Sequence, residues 1–306
     1  MTTSTPIATV MVAGSGVMGL GIAEVFAKAG FEITVYRHRP KDGLKLPEGV
    51  KLVTSFDGKA PDIVIESIPE ILDLKIEFFQ KLEAAFGERT IIASNTSGLP
   101  LEDMAAKLKH PNRFLGMHYF MPAEVSPLVE VIRVAKTDAA TVNGVVAALA
   151  KAGRESLILT RPVVGFLWNR LQHAILHEAY HLIETGVVST EDVDKVAKKL
   201  FGPRFCISGL VESKDIGGLE THIRAQHAIV PHLHLDRKPC AILERKRERK
   251  EFGISTGKGF YDWGGRSARD ISDSAKRRLR KLNAFLDTEL NRGEANTGPV
   301  GMVPPD

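Results

Sequence analysis

The amino-acid sequence predicts a two-domain α/β protein, with a doubly wound, mainly parallel sheet in 1–161 and an all-helical domain in 162–306. Three observations predict it. Up to about residue 161, short apolar runs of strand length alternate with stretches of helical periodicity. From Gly165 onward the periodicity is helical alone. Between the first strand and the first helix lies a glycine-rich turn of a kind that cradles phosphates.

The elements follow in order. Residues 7–13 (Ile-Ala-Thr-Val-Met-Val-Ala) are a buried strand, and Met18 to Ala29 is a helix of small and apolar residues. Phe31 to Tyr36 and Asp62 to Ser67 are the next strands. Leu72 to Phe86 is a helix with Leu74, Phe78, Phe79, Leu82 and Phe86 near one face. Thr90 to Ser94 is a strand, Leu101 to Lys109 a helix, and Arg113 to His118 and Val129 to Val134 are further strands. Val142 to Ala152 is helical and Ser156 to Leu159 is a last short strand, before Arg161-Pro162 marks the boundary. Beyond it, Phe166 to Thr185 is a long apolar helix, and Ser189, with Asp192 three residues on, caps a helix over Thr190 to Phe201. The Gly- and Pro-rich tail from Gly293 is expected to be loose.

Composition limits the function. The 306 residues are 43% hydrophobic and 25% charged, a globular balance without disordered bias. The net charge of +4 is mostly local, in Arg245 to Lys250 and Lys276 to Lys281. Glu244, Glu248 and Glu251 intersperse the first cluster, so it is expected as a solvated helix face, and no nucleic-acid partner is expected. No apolar stretch approaches the roughly 18 residues of a spanning helix, so no membrane partner is expected. Met1 to Pro6 lacks the basic start of an export signal. Cys206 and Cys240 form neither a disulfide framework nor a metal-ligand spacing, which suits a reducing cytoplasm.

Gly14-Ser15-Gly16-Val17-Met18-Gly19 is a GxGxxG between strand and helix, the fingerprint of a Rossmann dinucleotide site. Gly14 permits the tight turn, Gly16 lets the backbone approach a pyrophosphate, and Gly19 lets the helix pack on the sheet. The pyrophosphate would sit on the amides of the helix start, around Val17 and Met18. The second strand of an NAD site usually ends in an acid that holds the adenosine ribose. Here Arg37 stands there, which favours the 2′-phosphate of NADP over NAD.

Ser97, His118 and Glu130 lie beside or within strand-like runs, an arrangement that delivers a base, its orienting carboxylate and a substrate-holding hydroxyl to one cleft. Their contexts are Ala93-Ser94-Asn95-Thr96-Ser97, Gly116-Met117-His118-Tyr119-Phe120 and Leu128-Val129-Glu130-Val131-Ile132. With Gly165-Phe166-Leu167-Trp168-Asn169-Arg170-Leu171 and Thr256-Gly257-Lys258-Gly259-Phe260-Tyr261, they resemble the L-3-hydroxyacyl-CoA dehydrogenase family from residue 7 to about 263.

The resemblance implies reversible NAD(P)-dependent oxidation of a secondary alcohol at carbon 3 of an acid or its thioester, with L stereochemistry. His118 would be the base, Glu130 would hold its second nitrogen and stabilise the imidazolium, Ser97 would bond the substrate oxygen, and Asn169 would position His118 and the substrate. Asn95 would lie beside the nicotinamide, and Glu66 or Glu70 with Lys75 beside its ribose. The helical domain would pair two subunits.

Two departures bear on the substrate. Met121 stands where the family has Asn, and Lys41 to Asp57 is too short for the family's CoA-contacting helical hairpin. Free hydroxy acids, of the carnitine or gulonate kind, and cyclic or aromatic alcohols and aldehydes therefore stand beside CoA thioesters. A non-catalytic dinucleotide binder would have no need of the base and its acid. His177-Glu178-Ala179-Tyr180-His181 has the HExxH spacing of zinc hydrolases, but it lies on the apolar helix that packs the subunit core in the resembled family. A hydrogen-bonded histidine stripe, and no metal site, is expected there.

Overall fold

The structure is a computed structural model that describes residues 6–39, 42–290 and 301. The expectations for Met1 to Thr5 and, Gly301 apart, for the tail from Gly293 lie outside the described residues. The chain forms two compact units, Met1–His173 and Ala174–Asp306.

The first unit runs β1 (Thr9–Ala13), α1 (Val17–Lys28), β2 (Glu32–Tyr36), β3 (Lys51–Val53), β4 (Ile63–Glu66), α2 (Leu72–Phe86), β5 (Ile91–Ser94), α3 (Leu101–Ala105), β6 (Phe114–Tyr119), β7 (Leu128–Arg133), α4 (Ala139–Lys151) and β8 (Glu155–Leu159). The strands form one sheet in the order β3-β2-β1-β4-β5-β6-β7-β8. Pairing is parallel throughout except between β6 and β7. The order reverses between β1 and β4, and a crevice opens there beyond the carboxyl ends of the strands.

Strand alternation splits the core in two. Val10 and Val12 of β1, with Ile63 and Ile65 of β4, join a cluster that includes Ile22 and Phe26 of α1 and Leu149 of α4. Met11, Ala13 and Val64 point the other way, into Phe79 and Leu82 of α2 and Leu101 of α3. Each large apolar side chain so buried contributes roughly 1.5–3 kcal/mol, so burial on both faces makes the sheet the rigid platform of the unit.

Three local expectations are corrected. β3 was not legible, because three residues are too few for a period-2 pattern; it pairs with β2, and Arg37 N–H donates to Val53 O at 3.0 Å just beyond. The helix expected to Lys109 stops at Ala105, because the Glu83 carboxylate accepts from Lys109 N at 2.9 Å and His110 N at 2.8 Å. Leu74 is not on the buried face of α2; Lys75 is buried instead, neutralised by Glu66 and Glu70.

The second unit is helical. α5 (Trp168–Glu184) begins in the first unit and continues into the second. α6 (Thr190–Val196) passes through a wider π-type turn at Ala197–Phe201 into α7 (Gly202–Ile207). α8 (Glu212–Gly217), α9 (Leu219–Ile229), α10 (Ala241–Glu248) and α11 (Ala268–Thr288) follow. Ser189 caps α6 as expected, its Oγ accepting from Asp192 N at 3.1 Å. Phe260 stacks on Tyr180 at 5.4 Å, and the Tyr261 hydroxyl donates to Asp194 at 3.1 Å, so these aromatics fasten the segment before α11. Among the described residues, no helix is long and apolar enough to cross a membrane.

Candidate active site

A cleft of about 1260 Å³ opens where β1, β2, β5 and β6 end. It exceeds the roughly 300–1,000 Å³ of a pocket for one drug-sized ligand. Gly14, Gly16, Val17, Met18 and Arg37 line one part of it; Ser97, His118, Met121, Trp168 and Asn169 line another.

The glycine turn fits a dinucleotide residue by residue. Gly14 has φ +119°, and a Cβ there would lie 2.3 Å from Ser67 O. A Cβ on Gly19 would lie 2.0 Å from Gly14 O, so this glycine packs α1 against the turn and does not line the cleft. Gly16 differs: a Cβ there would meet no protein atom and would enter the cleft. Its smallness therefore serves space rather than packing. α1 starts here without a side-chain cap, so its first amides can accept an anion such as a pyrophosphate. Beside them, Arg37 Nη1 donates to Ser15 Oγ at 2.7 Å and Nε to Arg39 O at 2.7 Å. A guanidinium has five N–H donors, more than these two acceptors use.

The antiparallel pairing of β6 with β7 places His118 directly opposite Glu130. Opposed residues put their side chains on one face. His118 Nδ1 and Glu130 Oε2 are accordingly 2.7 Å apart. The other carboxylate oxygen accepts from Leu167 N and Trp168 N, each at 2.9 Å, at the start of α5. Gly165 (φ +80°) and Phe166 (φ +51°) turn the chain so that these amides face Glu130. A positive φ is uncommon for phenylalanine, and its ring, 1% exposed, is locked into the core. Burial alone would raise the Glu130 pKa, but the His118 bond and the Trp168 and Leu167 amides outweigh it and hold the carboxyl below its usual range. Nδ1 thus serves as the donor to an ionised acid, which leaves Nε2 as the acceptor nitrogen.

Ser97 is exposed in the cleft, its N–H donating to Glu70 Oε1 at 2.9 Å. Asn169 Nδ2 donates to Ser97 O at 3.4 Å. Asn95 Oδ1 accepts from Tyr119 N at 2.8 Å, which fixes the amide at the end of β5.

Of the three residues expected beside the ribose, only Glu70 lines the cleft. Glu66 and Lys75 are 0% and 1% exposed and form a buried ion pair, with Ser94 Oγ donating to Glu66 at 2.8 Å. Ser94 lies opposite Glu66 in the parallel register, so the carboxylate points into the sheet layer. The pair supports Glu70 from beneath, Lys75 Nζ lying 3.1 Å from its Oε2. Sequence reasoning missed the Leu167 and Trp168 amides, which no side chain announces. It also missed the Phe120–Trp168 ring pair at 5.6 Å, whose signal was two aromatics flanking the expected base and helix start.

Comparison with known proteins places the chain in a family. Residues 9–55 and 48–161 match the family described as 3-hydroxyacyl-CoA dehydrogenase, NAD binding domain. Residues 165–263 match the corresponding C-terminal domain. The chain is 27% identical over 302 residues to 5-formyl-3-hydroxy-2-methylpyridine 4-carboxylate 5-dehydrogenase of Mesorhizobium japonicum, covering 91% of this chain and 98% of that protein. A solved structure of a 5-formyl-3-hydroxy-2-methylpyridine 4-carboxylic acid 5-dehydrogenase, an NAD+-dependent dismutase, superposes with a TM-score of 0.86 at 25% identity, covering 92% of this chain and 99% of that one. (S)-3-hydroxybutyryl-CoA dehydrogenase from Ralstonia eutropha superposes with a TM-score of 0.68 at 28% identity, covering 84% and 99%. The chain belongs to the 3-hydroxyacyl-CoA dehydrogenase family and is a nicotinamide-dinucleotide-dependent oxidoreductase acting on a hydroxyl group.

Proposed function

We propose that the protein interconverts an alcohol and its carbonyl on a compact substrate without a CoA arm, with His118 as the acid-base group. The observation that carries this is the His118–Glu130 pair at 2.7 Å, with Glu130 closed by two amides and His118 facing the cleft. When bound, the nicotinamide supplies the hydride acceptor. His118 Nε2 takes the hydroxyl proton, and the Glu130 carboxylate stabilises the imidazolium that results. Ser97 and Asn169 hold the substrate oxygen, and Asn95 and Glu70 lie on the cofactor side.

Three observations favour a ring-bearing hydroxy or oxo acid over a CoA thioester. Described residues 42–62 contain β3 and no helix, so they contribute no helical hairpin for a CoA arm. Met121, 72% exposed, lines the cleft with Phe120 and Trp168, which together offer an apolar, aromatic wall for a flat ring. The pyridine-acting relative is the better superposition, 0.86 against 0.68. A free L-3-hydroxy acid is the second reading, favoured by the family chemistry. Steady-state turnover should be compared across pyridine and benzene aldehydes, free 3-oxo acids and acetoacetyl-CoA. Ring aldehydes should give the highest kcat/KM, and saturable CoA-ester turnover far above the others would overturn the proposal.

The cofactor is NADP in this reading, held at its 2′-phosphate by Arg37, where charge-assisted bonds are worth roughly 1.5–3 kcal/mol each. Arg37→Asp should move the kcat/KM preference from NADPH toward NADH. A parent enzyme that already prefers NADH would refute the 2′-phosphate contact.

A second copy of the chain is the proposed partner of the helical unit. Its described residues hold few buried apolar side chains, Ala179 and Cys240 among them, yet Val211 and Ile216 are 75% and 73% exposed. Helices with so little core of their own need a covering surface. The unpaired thiols of Cys206 and Cys240 suit a reducing, cytoplasmic location.

A further inference from the structure

We propose that His177, His234 and Cys240 form a binding site for a borderline-soft divalent cation of the zinc class, pinning the segment before α10 onto α5. One ligand atom from each residue lies within 4.8 Å of the others. Cys240 Sγ and His177 Nδ1 are 3.6 Å apart. Zinc bonds of about 2.3 Å to sulfur and 2.0–2.1 Å to nitrogen at a tetrahedral angle set this edge at about 3.6 Å. The site is thus already spaced for metal along one edge, and a ligand atom of the half-buried His234 lies within 4.8 Å of both.

The surroundings favour coordination over a chance meeting of side chains. His177 Nε2 lies 2.6 Å from Asp236 O and donates to it, which leaves the Nδ1 lone pair facing the thiol. A ligating histidine characteristically gives its second ring N–H to a carbonyl in this way, which fixes tautomer and ring orientation. Glu178 accepts from His234 N at 2.7 Å and so ties the loop to α5 next to the ligands. Two imidazoles and a thiolate are a donor set that selects zinc over magnesium or calcium, with the fourth position left for water.

This is not the HExxH arrangement. His181 stacks on the His234 ring at 4.1 Å and 4°, so the second histidine of that motif braces a ligand. Cys240, among the few buried apolar side chains of the helical unit, would then hold an ion that compensates for the sparse core.

The test uses the untagged full-length chain, stripped with chelator and titrated with Zn2+ and with Co2+. One equivalent of either ion should bind per chain, Zn2+ should raise Tm, and Co2+ should develop a thiolate-to-metal charge-transfer band. Cys240→Ser should abolish that band and weaken Zn2+ binding beyond the roughly 10–100-fold cost of an outer-shell change. Cys206→Ser, at the other and exposed thiol, should change neither. His234→Gln is the second variant, and it should weaken Zn2+ binding even if Cys240→Ser fails to fold. A thiol merely hydrogen-bonded to imidazole produces none of these signals. Absence of stoichiometric uptake, cobalt uptake without the band, or His234→Gln binding as the parent does would each overturn the site. Dehydrogenase turnover is not the readout, so the outcome is independent of the proposed activity.

Discussion

At the scale of single residues, the proposed chemistry rests on a cross-strand neighbour pair. His118 faces Glu130 because β6 and β7 are antiparallel, and Glu130 is held ionised by donors on both oxygens. His118→Gln should lower kcat by the roughly 10²–10⁴ expected of a general base, with cofactor affinity by fluorescence titration nearly unchanged. A variant that keeps most of its turnover would remove His118 from the reaction. Glu130 also carries a stability signature. Its folded pKa is depressed, so its contribution is present above the ordinary glutamate value of about 4.3 and is lost as pH falls through the lower folded value. Glu130→Gln should therefore flatten the decline of Tm between about pH 5 and pH 3 while lowering kcat. An unchanged slope in thermal melts would mean that the carboxylate is not the group responsible.

At the scale of elements, the junction of β1 and α1 separates two uses of glycine. Gly19 is small because α1 must touch the turn, and Gly16 is small because something outside the protein must approach. Gly19→Ala should cost about 1–3 kcal/mol in urea unfolding, the order expected of overpacking. Gly16→Ala should cost under about 1 kcal/mol yet raise the cofactor Kd tenfold or more, since its Cβ enters the cleft. Equal losses of stability in both variants would contradict this division. This junction was legible in the sequence, because the GxGxxG spacing and its flanking strand and helix are local. The same is true of the alternating elements to β8, whose apolar runs are long enough to show their period. The Glu66–Lys75 pair was legible only as residue types. Which member of Glu66, Lys75 and Glu70 faces the cleft depends on the β4–β5 register, a long-range property.

At the scale of the whole molecule, the helical unit is apolar where it should be polar if it stood alone. Val211→Glu with Ile216→Glu should convert a sedimenting dimer into monomer at micromolar concentration, with the Rossmann unit still binding cofactor. A parent chain that sediments as monomer would refute the dimer. The sequence by itself determined the fold class and the dinucleotide turn, and it singled out His118 and Glu130 as the proposed base and its carboxylate, because these are written in local periodicity and short motifs. Only the tertiary structure decided that the Leu167 and Trp168 amides close on Glu130, and that Lys75 goes under the cleft while Glu70 lines it. It likewise brought Cys240 and His234 to His177 across some sixty residues of chain. These meetings follow from strand register and helix packing between distant segments, which no local pattern of residues specifies.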